Sequence, residues 1–190
     1  MKSWPERLLA LAGMCLIGAG GWSIVRYQRF QRNPEYFKLQ NVSRPVMANS
    51  SFGRSSAESG VLGRLDIPRV RMTVLIVEGD DDESLGLAAG HVSGTAEFGA
   101  SGNTVIAGHR DTAFRELRSV KVGDQICIEA GKTYHYIVKA IRIVGPDDVS
   151  VLESGNDATL TLVTCYPFIY IGAAPQRYIV TAKLVRVSIT

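Results

Sequence analysis

The sequence predicts an all-β fold, a barrel or a sandwich, and three observations carry that expectation. β-branched runs of strand length recur from residue 61 to residue 187, helical periodicity in the same region is confined to two short stretches, and 19 glycines break up the 190-residue chain. Short runs separated by turn-forming residues must close on one another or stack as two sheets to bury an apolar face. No internal repeat and no low-complexity tract points to another architecture.

The elements follow in chain order. Residues 8–25 are eighteen consecutive positions without a charge, and at about 1.5 Å per residue a helix of that length approaches the thickness of a bilayer. The run is longer than a usual signal-peptide core and lacks a clear Ala-x-Ala site, so it reads as a membrane anchor that stays attached. A buried core helix fits less well, because Gly13, Gly18, Gly20 and Gly21 would weaken it in water. Residues 1–27 are assigned to a cytoplasmic tip and transmembrane helix, and 28–59, rich in Asn, Ser, Arg and Pro, to a solvated stalk. Residues 60–190 then form one domain, long enough for one core and too short for two.

Within that domain, 61–67 and 72–77 are β runs hinged at Pro68-Arg69-Val70-Arg71, and 81–89 reads as a short helix with acidic residues at its start. Residues 103–108 form an apolar strand ending at His109, and 112–120 carries Phe114, Leu117 and Val120 at helical spacing. Ala130-Gly131-Lys132-Thr133 is a hairpin signal between 125–129 and 134–144, and two further β runs cover 158–164 and 176–187.

Composition narrows the function. The net charge of +3 is small and the basic residues are scattered, which sets aside a nucleic-acid surface. Cys15, Cys127 and Cys165 are an odd number at wide spacing, with neither a CxxC nor a His cluster, so no disulfide framework and no metal site is expected.

What remains is a thiol, an imidazole and a guanidinium, each in or beside a β run. Cys165 closes the run 158–164, His109 follows 103–108, and Arg177 opens the last run. Only folding can join positions so far apart in sequence, and a Cys nucleophile with a His proton donor is commonly assembled that way. Alternation puts Thr161, Val163 and Cys165 on one face, with Arg177, Ile179 and Thr181 on one face of the last run. If these runs pair, Cys165 and Arg177 can project together. Pro167 ends the strand just beyond Cys165 and leaves the thiol accessible. Cys127, inside Gln-Ile-Cys-Ile-Glu, reads instead as an inert buried thiol, and His135 as structural.

The flanking residues are more specific than the trio. Thr161-Leu162-Val163-Thr164-Cys165-Tyr166-Pro167-Phe168, Gly108-His109-Arg110-Asp111-Thr112 and Ala174-Pro175-Gln176-Arg177 together resemble the sortases, cysteine transpeptidases that attach proteins to the bacterial cell envelope. The likeness extends from about residue 60 onward and is closest to class D. It implies a closed eight-stranded β-barrel with short helices in its connections. It also implies Cys165 as nucleophile, His109 as general acid/base and Arg177 as oxyanion and substrate stabiliser. His91, in Gly-His-Val-Ser-Gly-Thr-Ala, and Thr164, Ala174 and Pro175 would bind substrate. The substrate would be a protein with a C-terminal LPxTG-like signal, and the acceptor an amine from a peptidoglycan precursor or a protein Lys. No metal or organic cofactor is required. Calcium stays open, since Asp80, Asp81, Asp82 and Glu83 could hold an ion but are more simply acids at a helix start.

Such an enzyme works outside the cytoplasm at the cell membrane. Lys2 and Arg7 before the apolar run, against Arg26, Arg29, Arg32 and Lys38 after it, favour the opposite orientation by charge, but long domains translocate largely regardless of nearby charge. Two rival readings remain: a thiol peptidase that shares these residues and hydrolyses its substrate, and a non-catalytic membrane-tethered binding module, for which the trio would be coincidental.

Overall fold

A computed structural model describes residues 22, 25, 60–80, 85–86 and 88–189. The chain divides into two units, Met1–Asn33 and Pro34–Thr190, and the fold below belongs to the second. Eight strands occupy Val61–Ile67 (β1), Met72–Glu78 (β2), Ala89–His91 (β3), Gly102–Ala107 (β4), Gln125–Ala130 (β5), Lys132–Val144 (β6), Ala158–Tyr166 (β7) and Gln176–Ile189 (β8). They close as a barrel in the order β1-β2-β3-β4-β7-β8-β6-β5. Of the barrel and sandwich the sequence allowed, the barrel is the one that forms.

Alternation explains the closure. Every second residue of β1, from Val61 to Ile67, is buried. Leu65, Ile76, Ile106, Ile126, Tyr136, Leu160, Leu162 and Val180 meet inside as one core. Antiparallel neighbours account for six of the eight pairings, while β2 with β3 and β4 with β7 are parallel. The β4–β7 pair matters most, because parallel strands bring their C-terminal ends to the same edge.

Three local expectations change. The helix expected over 81–89 gives way at Ala89 to the short strand β3; Leu85 and Gly86 are helical, and residues 81–84 and 87 lie outside the described residues. Residues 112–120 tighten to a 3-10 turn, Arg115–Ser119, yet Phe114, Leu117 and Val120 all pack into the core as their spacing requires. The β5–β6 hairpin narrows to Gly131 in the left-handed region at φ 70, with Ala130 paired to Lys132. Among the described residues no helix is long and apolar enough to cross a membrane. The span expected over 8–25 lies outside them except for Trp22 and Val25, which are helical.

Candidate active site

Three neighbouring strands carry the trio to one edge of the barrel. β7 runs parallel to β4 and antiparallel to β8, so the last residues of β4 and β7 and the first of β8 lie together. Cys165 and Arg177 are register partners across β7 and β8. Leu160 and Leu162 face the core, so Cys165 falls on the outer face of the barrel. Arg177, directly opposite, shares that face.

His109 is delivered from β4 by a tightly held backbone. Gly108 N–H donates to Val163 O at 3.1 Å, and Phe114 N–H donates to His109 O at 2.9 Å. The buried Thr164 hydroxyl donates to Gly108 O at 2.6 Å. Ala107 pairs with Val163 in the last rung of the β4–β7 ladder, so His109 leaves β4 at the barrel edge where Cys165 nears the end of β7. Gly108 is required here: a Cβ would stand 2.8 Å from the buried Phe114 ring, which lies on the backbone leading to His109.

One step back from the trio, Ala107, Val163 and Ile179 form a row across β4, β7 and β8 on the same outer face. Ala107 and Val163 are half-buried and make an apolar floor beside Cys165, while Ile179 is fully covered. The 145–157 connection folds over the far part of this face: Asn103 Nδ2 donates to Val151 O at 2.9 Å and Thr161 Oγ1 donates to Asn103 Oδ1 at 2.8 Å. The 167–175 loop borders the near part, and Arg177 Nη1 donates to its Ala174 carbonyl at 3.2 Å and to the Gln176 carbonyl at the start of β8 at 3.0 Å. Nε and Nη2 of Arg177 have no partner among the described residues, which leaves part of the guanidinium fork open beside the thiol. Tyr166 and Tyr178 stack and Phe168 meets both edge-on, with centroids 5.1–6.1 Å apart; burial, then Tyr166, pushes the Tyr178 phenol pKa up.

Not every residue assigned to substrate binding reaches this site. His91 is turned away. It pairs with Ile106 and shares its inward face, and because β3 is antiparallel to β4 the chain beyond it runs toward the opposite barrel edge. There His91, 4% exposed, lines a cavity of about 300 Å³ with Leu62, Glu78, Glu97, Phe98, Ala130 and Tyr134. Its Nδ1 lies 3.0 Å from Glu78 Oε2 and its Nε2 3.1 Å from Ala96 O. Thr164, 3% exposed, donates its hydroxyl to Gly108 O and so supports the backbone that leads to His109. Ala174 and Pro175 stand in the loop beside Arg177. Among the described residues no group of three His, Cys, Asp or Glu side chains could hold a metal ion; of Asp80 to Glu83 only Asp80 is described.

One residue at the site was passed over. Arg110, next to His109, donates from Nη1 to Pro167 O at 3.1 Å and from Nη2 to Tyr170 O at 3.0 Å.

A sortase domain model matches residues 65–185. The chain is 30% identical to Sortase D of Bacillus subtilis, over 97% of this chain and 100% of that one. A structure of sortase A from Listeria monocytogenes superimposes with a TM-score of 0.62 at 26% identity, covering 67% of this chain and 89% of that one. A Clostridium perfringens Sortase D5 transpeptidase gives a TM-score of 0.62 at 27% identity, covering 86% and 95%. The motifs that surround Cys165, His109 and Arg177 fall within the matched domain, and the chain belongs to the sortase family of cysteine transpeptidases.

Proposed function

We propose that this transpeptidase cuts an LPxTG-like C-terminal signal after its Thr and joins the protein to an amine at the cell envelope, with Cys165, His109 and Arg177 as its working groups. The Cys165 thiolate adds to the Thr carbonyl, and the bond to the next residue breaks as His109 protonates the departing amine. A thioester remains. His109 then removes a proton from the incoming amine, which attacks the thioester, forms the new amide and releases the thiolate. Arg177, through its Nε and Nη2, holds the substrate backbone and the developing oxyanion. The scheme needs no metal and no organic cofactor.

The observation that carries this reading is the Cys165–Arg177 register pair with His109 leaving β4 at the same barrel edge, on an outer face floored by Ala107 and Val163. An extended peptide laid along that floor would present its carbonyl to the thiol. Small side chains at Ala173 and Ala174 leave room for the second substrate. The acceptor is an amine of a peptidoglycan precursor or a Lys of another protein. Residues 8–25 anchor the chain as a single pass, with the barrel outside the cytoplasm.

The full chain incubated with LPxTG-like and LPxTA-like peptides should give ligated product that rises with added triglycine, diaminopimelate-containing stem peptide or Lys peptide, while free acid falls. Free acid alone at saturating levels of each acceptor would identify a hydrolase instead. Alkaline phosphatase fused to the C-terminus should be active; an inactive fusion would place the barrel in the cytoplasm.

A further inference from the structure

We propose that Arg110 is a positioning residue that ties the β7–β8 loop down beside Cys165 and so fixes the wall against which a peptide substrate binds. The proposal rests on the transpeptidase reading above and goes beyond it, because Arg110 has no part in the chemical steps.

One guanidinium reaches three carbonyls of the loop. Arg110 Nη1 donates to Pro167 O at 3.1 Å, and Nη2 donates to Tyr170 O at 3.0 Å and Gly172 O at 3.3 Å. Its Cζ also stands 5.8 Å from the centroid of the Tyr170 ring. Burial does little to hold the loop tip, since Ile169 is 88% and Ile171 100% exposed. Gly172, at φ 97, has the backbone freedom to bend there. Phe168 is held by packing against the core and the Tyr178 ring, so it is the tip, 169–172, whose conformation depends on Arg110 more than on packing. The anchor is firm at its other end, because His109 and Gly108 are pinned to Phe114, Val163 and Thr164.

The same loop continues into Ala174 and Gln176, whose carbonyls receive Arg177 Nη1. Arg110 thus connects the backbone that delivers His109 to the segment that orients Arg177. A planar fork can bridge carbonyls spaced along a loop; the compact ammonium of a lysine cannot. Charge alone would not distinguish the two.

The test uses the full chain carrying Arg110→Ala or Arg110→Lys. Chymotrypsin cleavage of the bond after Tyr170, followed by mass mapping, should be about tenfold faster in both variants, as expected when a loop loses the bonds that close it. KM for the sorting peptide should rise about tenfold with kcat within about threefold, the pattern of lost ground-state positioning. Unchanged cleavage would overturn the clamp. Faster cleavage with the original KM would overturn its link to substrate, and restoration of both readouts by lysine would reduce Arg110 to a charge. If the unmodified enzyme ligates no sorting peptide, it is the functional reading that fails. The clamp is then judged on cleavage together with alkylation of Cys165 by a small neutral thiol reagent: both faster supports it, and both unchanged overturns it.

Discussion

Cys165 and Cys127 occupy similar positions by the coarsest description. Both are half-buried, both lie on the outer face of the barrel, and both have a histidine on or just beyond a neighbouring strand. Their surroundings separate them. Cys127 sits inside β5 between Asp66 of β1 and His135 of β6 as register partners. Its Sγ is 3.5 Å from His135 Nδ1, and Gln125 Nε2 stands 2.9 Å from the same nitrogen and competes with the thiol for it. Burial first, and then the Asp66 carboxylate, push the Cys127 thiol pKa up. Cys165 stands at a strand end with Arg177 opposite. A cysteine beside a histidine is therefore not yet a nucleophile; the sign of the neighbouring charge and the position along the strand decide.

The sharpest way to break this comparison is to remove each thiol. Cys165→Ala should lower ligation of a sorting peptide by at least about a thousandfold while the protein stays folded, and Cys127→Ala should stay within about twofold of the original. The reverse pattern would show the comparison to be upside down. His109→Ala should cost kcat/KM about a hundredfold or more. Arg177→Lys, which keeps charge and loses the fork, should cost about a hundredfold, and near-normal kcat/KM would rule out a directional role for the guanidinium.

Smaller effects probe how His109 is held. Thr164→Val keeps the shape and leaves Gly108 O without its donor; it should cost about 1–2 kcal/mol in denaturant unfolding and lower kcat with it. Gly108→Ala should act in the same direction, because the buried Phe114 ring has little room to yield. A Thr164→Val enzyme with full stability and full kcat would show that this hydrogen bond does not position His109.

The weakest effect is also the most specific to the comparison. A thiol with a raised pKa keeps its proton to higher pH, so alkylation of Cys127 should climb only above the ordinary thiol range. Asp66→Asn removes the negative charge that opposes ionisation and should move that climb to lower pH, leaving Cys165 labelling as it was. A Cys127 profile unmoved by Asp66→Asn would mean that the Asp66 charge does not set its reactivity.

Long alternating elements were legible in the sequence, and short or context-dependent ones were not. β1, β7 and β8 each carry enough alternation to declare a face, and with it the common side of Cys165 and Arg177. β3 has three residues, too few for any period to show, and the acidic residues before it favoured a helix. The roles of His91 and Thr164 depended on which way a side chain turns. For His91 that direction follows from its pairing with Ile106, and for Thr164 from the exit of β4 at Gly108. Neither contact has a local sequence signal. Arg110 was hidden differently: its partners are carbonyl groups, which leave no mark on residue type.

The central claim is that acyl transfer passes through Cys165, and trapping the intermediate tests it most directly. The full chain is mixed with an LPxTG-like peptide, quenched in acid before acceptor is added, digested and mapped by mass, with a parallel sample chased with amine before quenching. The account requires an acyl adduct on Cys165 that disappears on the amine chase as ligated product forms in equal amount. An adduct on Cys127, or turnover that continues in Cys165→Ala, would contradict it.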